Sequence, residues 1–187
     1  NIQAAVLKGL GQLDVSVEAY NKALAIKPDY AEAFYNLGVT LKGMVFKQPN
    51  PGLQKIITSL LDKKSFVRPR DIALAAISLL KFEPKLKRHL QTSSMAEPEP
   101  RLREVITDLS ELPLLLKLMS VCPLSDLALE NLFRSLRANL LLSISDLTGL
   151  PKELEIQSAL ALQCFTNEYI YNQSEHEDEA LIDLGTT

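Results

Sequence analysis

The sequence predicts an all-α fold, a partial helical repeat array continuing into a helical bundle. Three observations carry the prediction. Apolar residues recur at helical spacing, as in Leu129, Leu132, Phe133, Leu136 and Leu140. Val and Ile do not gather into alternating runs, and no Asn-Gly or Asp-Gly hairpin signal occurs. Residues 11–43 set two amphipathic stretches on either side of a proline, with small and aromatic residues at fixed offsets.

The elements follow in order. Val6, Leu7 and Leu10 form the tail of a first helix that Gly11 ends. A second helix is expected from about Asp14 to Ile26, with Val17, Tyr20, Ala23 and Leu24 on one face. Pro28 ends it, because proline has no N–H to donate. A third runs from Tyr30 to Lys42, with Ala33, Phe34, Leu37 and Leu41 facing inward. Ser16, Tyr20, Ala23 and Pro28 supply a small residue, an aromatic, an alanine and a helix-ending proline. Phe34, Leu37, Gly38 and Leu41 supply aromatic-x-x-Leu-Gly-x-x-large. This pattern resembles the tetratricopeptide repeat, a helix-turn-helix unit of about 34 residues that stacks into an αα superhelix. The quoted residues cover about a fifth of the chain.

Beyond Gly43 the repeat breaks. One period on from Gly11, Tyr20, Ala23 and Pro28 stand Val45, Gln54, Ile57 and Asp62. Pro49-Asn50-Pro51-Gly52 is a turn, and Leu53–Leu61 is expected to close the array as a degenerate last helix. The first domain therefore spans 1–62 and the second, 63–187, is a helical bundle with an acidic C-terminal tail. In the bundle, Pro69 starts a nearly all-apolar helix through Ile72 and Leu80. Gln91–Pro100 is expected to be an exposed loop, and Arg101–Leu109 and Leu114–Ser120 short helices separated by Pro113. Ser125-Asp126 caps the helix carrying Leu129 to Leu140, with Glu130 and Arg134 paired outward. Pro151 opens a final helix to about Tyr171, its apolar residues being Ile156, Ala159, Leu160, Cys164, Phe165 and Tyr169. Ser174–Glu179 is an acidic cluster.

With 187 residues, 47% hydrophobic and 23% charged, the chain suits one large or two small globular domains. The densest apolar run, Leu112–Met119, is too short for a membrane span and is interrupted by Lys117. No signal peptide is read in these residues, and a mature or trimmed sequence is expected. The opening Asn1 and the ending Leu-Gly-Thr-Thr suggest a piece of a longer protein. Cys122 and Cys164 fit no metal spacing, so a reducing, cytoplasmic setting is expected. The net charge of −3 conceals opposed blocks: ten basic residues against three acidic in 44–90, and one against eight in 151–187. The basic block lacks a nucleic-acid motif, having only Phe66 and Phe82 among the charges at 63–88. Solvation, or pairing with the acidic block, is the expectation.

Three later pieces resemble a second known segment. They are Arg68-Pro69-Arg70-Asp71-Ile72 with Ser-Leu-Leu-Lys at 78–81, Leu127 to Arg137, and Ala159 to Tyr171 with its Cys-Phe-x-Asn-Glu-Tyr run. Together, over roughly 65–179, they resemble the helical segment between tetratricopeptide repeats and a downstream methyltransferase domain in bacterial proteins, including rickettsial-type protein lysine methyltransferases. That family binds S-adenosylmethionine in a Rossmann-like domain, which this chain lacks. Gly9-Leu10-Gly11 is followed by Asp14 where a third glycine would stand. No cofactor, metal or catalytic residue is therefore assigned. Cys164 as a nucleophile needs a neighbouring base, and the only histidines are His89 and His176.

The repeat resemblance implies a binding surface on the first helix of each unit. It would be lined by Asn1, Ala5 and Lys8, then by Tyr35, Asn36, Val39 and Lys42. Two lysines and an asparagine suit a carboxylate or an acidic peptide backbone; the same positions also suit a solvated end fragment. The expected role is a non-catalytic protein-interaction or scaffolding segment with a protein or peptide partner. The alternative is the substrate-recognition portion of an S-adenosylmethionine-dependent protein methyltransferase.

Overall fold

The computed structural model describes residues 13–63, 66–92, 102–143, 149–166 and 174–185, within which there are ten α-helices and no strand. They are α1 Leu13–Ile26, α2 Ala31–Leu41, α3 Pro51–Asp62, α4 Pro69–Leu80, α5 Pro84–Thr92, α6 Leu102–Ser110, α7 Pro113–Val121, α8 Leu127–Leu142, α9 Pro151–Thr166 and α10 Glu175–Gly185. The fold is all-α. Two compact units divide it, Asn1–Phe82 and Glu83–Thr187. The contacts thus group α4 with α1–α3, whereas the sequence reading placed a boundary after residue 62.

In the first unit α1 and α2 form a hairpin. Lys27 N donates to Ala23 O (2.9 Å) before Pro28, and Tyr30 N to Lys27 O (3.1 Å) after it. Val17, Tyr20 and Leu24 bury one side of α1, and Ala33, Phe34, Leu37 and Leu41 one side of α2. Gly43, at φ +73°, ends α2 in the left-handed conformation that glycine adopts without a Cβ penalty. Asn50 caps α3, its side chain accepting from Leu53 N (2.9 Å), and Pro51 occupies the first turn, where no N–H is needed. The segment leading into α4 then lies along α2. Phe66 stacks on Phe34 with ring centroids 5.8 Å apart, Lys63 Nζ sits 5.1 Å from the Phe34 centroid, and Val67 packs on Gly38. Ser78 Oγ accepts from Phe46 N (2.9 Å), pinning the chain after α2 to α4.

In the second unit α9 packs on α6 and α7, α10 on α8, and α5 on α6 and α8. Leu129, Leu132, Phe133 and Leu136 of α8 are buried, as are Ile156, Ala159, Leu160 and Gln163 of α9. Gln163 fastens the turn after α7: Nε2 donates to Met119 O (2.7 Å) and Cys122 O (2.8 Å), while Oε1 accepts from Leu124 N (3.1 Å).

Two expectations need revising. The segment beginning at Ser174 is a capped helix, not only an acidic cluster: Glu177 N donates to Ser174 Oγ (3.3 Å), Ser174 N to Glu177 Oε2 (2.9 Å), and Glu177 pairs with Arg137. Phe165, one of the apolar residues of the last helix, is 69% exposed. Of the α5 cations, Arg88 pairs with Glu104 and Asp108 of α6, and Lys85 with Asp108 and Glu111, acids that lie outside the C-terminal block. Lys8, the first helix, most of the Gln91–Pro100 loop and Asn167–Tyr171 lie outside the described residues.

Candidate peptide-binding face

Helix α2 presents the candidate residues because its buried positions fix the register. Phe34, Leu37 and Leu41 point into the unit, so Tyr35 and Val39, one turn apart, must point away. Tyr35 is 56% and Val39 46% exposed. Asn36 is half-buried beside them, and its carbonyl accepts from the buried Thr40 hydroxyl (2.8 Å). That bond, made within the helix, leaves the Asn36 side chain uncommitted by it. Lys42, just past the helix end, is exposed and lies 3.5 Å from Asp71 of α4. Four of the five expected residues therefore share this end of the unit.

The electrostatics of the face differ from expectation. Glu32 opens α2 and accepts from the Tyr30 hydroxyl (3.3 Å), and Asp71 stands against Lys42. Neither acid was singled out as part of the face; Asp71 is far along the chain from its partner Lys42. The Lys42–Asp71 pair is solvent-exposed, a class worth about 0–1 kcal/mol, so Lys42 can exchange Asp71 for a ligand carboxylate. The chemistry available is an aromatic and aliphatic contact flanked by an amide and an ammonium.

The groups that resemble catalytic ones are held for structure. His89 Nε2 lies 2.8 Å from Asp108 Oδ2, but its side chain is 0% exposed, so no substrate reaches it. Asp108 also pairs with Arg88 and, at 3.5 Å, with Lys85. Burial pushes the Asp108 carboxyl up, but the hydrogen bond from His89 and the Arg88 guanidinium outweigh it and hold the group below its ordinary value. Burial pushes the Cys122 thiol up to about 11. It also raises Cys164, despite the adjacent Arg137, so both thiols stay protonated and weakly nucleophilic at neutral pH. Among the described residues no group of three or more His, Cys, Asp or Glu is placed to hold a metal ion. None of their helices is long and apolar enough to cross a membrane.

The family model described as TPR repeat matches residues 6–44. This segment is similar to a TPR repeat. The matched stretch contains Lys8, Tyr35, Asn36, Val39 and Lys42, and TPR repeats generally mediate protein–protein interaction. No curated protein and no solved structure matches the chain. The resemblance to the segment preceding a methyltransferase domain therefore rests on the quoted residues alone. Of its most specific run, Cys164 and Phe165 end α9 and the rest lies outside the described residues.

Proposed function

We propose that this chain is a non-catalytic interaction segment that recognises a polypeptide on the outer face of α2, the second unit serving as scaffold. The observation that carries the reading is the outward exposure of Tyr35 and Val39, one turn apart, inside the stretch that matches the TPR model. Aromatic anchors with a polar surround are what short peptide contacts exploit. Asn36 and Lys42 supply the polar part, and an acidic or C-terminal carboxylate on the peptide would displace Asp71 from Lys42. The two free cysteines, both with raised pKa values, suit a reducing cytoplasmic setting.

The test is selection of a random peptide display library on the full chain, run in parallel on a Tyr35→Asp, Val39→Asp double variant. Both positions are exposed, so the fold tolerates the change. Peptides enriched on the wild-type chain and lost on the variant support the reading; equal enrichment on both refutes it. The second reading, substrate recognition for an S-adenosylmethionine-dependent protein methyltransferase, rests only on the sequence resemblance of the three pieces over roughly 65–179. It would be favoured if the selected peptides centre on one lysine and lose binding when that lysine is replaced.

A further inference from the structure

Helix α9 has two apolar sides. Ile156, Ala159, Leu160 and Gln163 face the core, as a single amphipathic stripe requires. On the opposite side Leu154, Ser158, Ala161 and Phe165 fall within about 60° of arc at 3.6 residues per turn, and all four are exposed. Leu154 is 51% and Phe165 69% exposed, and Leu162, 44% exposed, flanks them. Three large apolar side chains thus stand on the side of α9 where an amphipathic helix carries polar residues.

The order of side chains indicates what covers the patch. About the helix midpoint between Ala159 and Leu160, Leu154 and Phe165 lie equally far out, and so do Ser158 and Ala161. The stripe therefore has a large-small-small-large order that is the same read from either end. Two copies crossing antiparallel about a two-fold axis opposite that midpoint would set Leu154 of one against Phe165 of the other. Ser158 would then lie against Ala161, where small side chains let the backbones approach. A two-fold interface must be self-complementary in this way. A helix binding an unrelated partner has no need of the symmetry.

We infer that the outer face of α9 is a self-association surface through which two copies of this chain pair antiparallel. Each copy contributes one helix about 24 Å long. Such an interface is at the small end of specific contacts, and the association is weak and reversible. It gives a TPR-bearing chain two copies of the α2 face per assembly. The inference stands independently of what α2 binds.

Sedimentation equilibrium of the full chain between roughly 1 and 300 μM tests it, a window suited to micromolar association. The wild-type mass should climb from one chain toward two. Leu154→Lys and Phe165→Glu should each remain monomeric over that range, with far-ultraviolet circular dichroism unchanged because both positions are exposed. An equimolar mixture of the two variants should regain the dimer. The antiparallel register sets the ammonium introduced by the first substitution against the carboxylate introduced by the second. The other contact of the mixed pair stays Leu on Phe. A wild-type chain that stays monomeric throughout overturns the inference. So does a dimer that survives either single substitution, or a mixture that fails to recover.

Discussion

Gln163 shows how one side chain can hold a junction. The carbonyl of Met119 looks along α7 to residue 123 for its helical partner, and residue 123 is a proline without an N–H. Gln163 supplies that missing donor, a second to Cys122 O, and an acceptor for Leu124 N. Gln163→Leu keeps the volume but strands buried backbone groups, which cost about 1–3 kcal/mol each when unmet. Urea unfolding should therefore show a loss of about 2–4 kcal/mol, large for a single substitution. Gly38 is the corresponding case for close packing. A Cβ there would stand 3.0 Å from Val67 Cγ2 and 3.1 Å from Val67 Cβ. Alanine gains up to about 1 kcal/mol of helix propensity, but crowding a packed site costs about 1–3 kcal/mol. Gly38→Ala should thus destabilise the chain in the wild-type background, and by less when Val67 is also replaced by alanine, which removes Cγ2 but keeps the Cβ 3.1 Å away. A double-mutant cycle in urea reads the coupling directly.

At the scale of elements, what the sequence revealed depended on whether a helix is signalled locally. Proline at the first turns of α4, α7 and α9, the Asp126 cap accepting from Leu129 N (3.3 Å), and the Phe34/Leu37/Leu41 spacing all act within a few residues, and these helices were legible. Helix α5 was not. Its few apolar residues include Leu86 and Leu90, and what fastens it is tertiary: Arg88 to Glu104 (2.9 Å) and Asp108, Lys85 to Glu111. Helix α10 carried a readable signal, Ser174 followed three residues later by Glu177, the capping-box spacing, but the surrounding charge obscured it. Phe165 stays outside the core because helical periodicity puts it opposite Ile156 and Leu160. For the candidate site, Tyr35 and Val39 were legible from register, while Asp71 beside Lys42 was hidden by distance along the chain. Arg137, its guanidinium 2.9 Å from the buried Glu177, holds α10 onto α8. Arg137→Met leaves that carboxylate buried without its counter-charge, with only the Ser174 hydrogen bonds to hold it, so hydrogen exchange over 175–185 should accelerate about tenfold while the α1 and α2 amides keep their protection.

For the molecule as a whole, the charge pairs give a stability profile with a defined sign. At Glu177 burial raises the carboxyl, but Arg137 and the Ser174 bonds outweigh it; Asp108 is lowered in the same way by His89 and Arg88. Folded values below the ordinary 4.5 and 3.8 mean stability fully present above those values and lost as pH falls through the folded ones. Acid titration should therefore loosen the second unit below about pH 4, and Asp108→Asn should flatten that limb of the profile while lowering stability at about pH 7. The first unit draws its cohesion from apolar burial around Tyr20, Phe34 and Leu37, and it should hold α2 in register over the same range. That register is what presents the binding face. The most direct measurement is an amide chemical-shift titration of the isotope-labelled full chain with a peptide from the display selection. Recognition on α2 predicts that the largest shifts fall on Glu32–Lys42 and vanish in the Tyr35→Asp, Val39→Asp variant. Shifts confined to residues beyond 83, or shifts that persist in the variant, would contradict it.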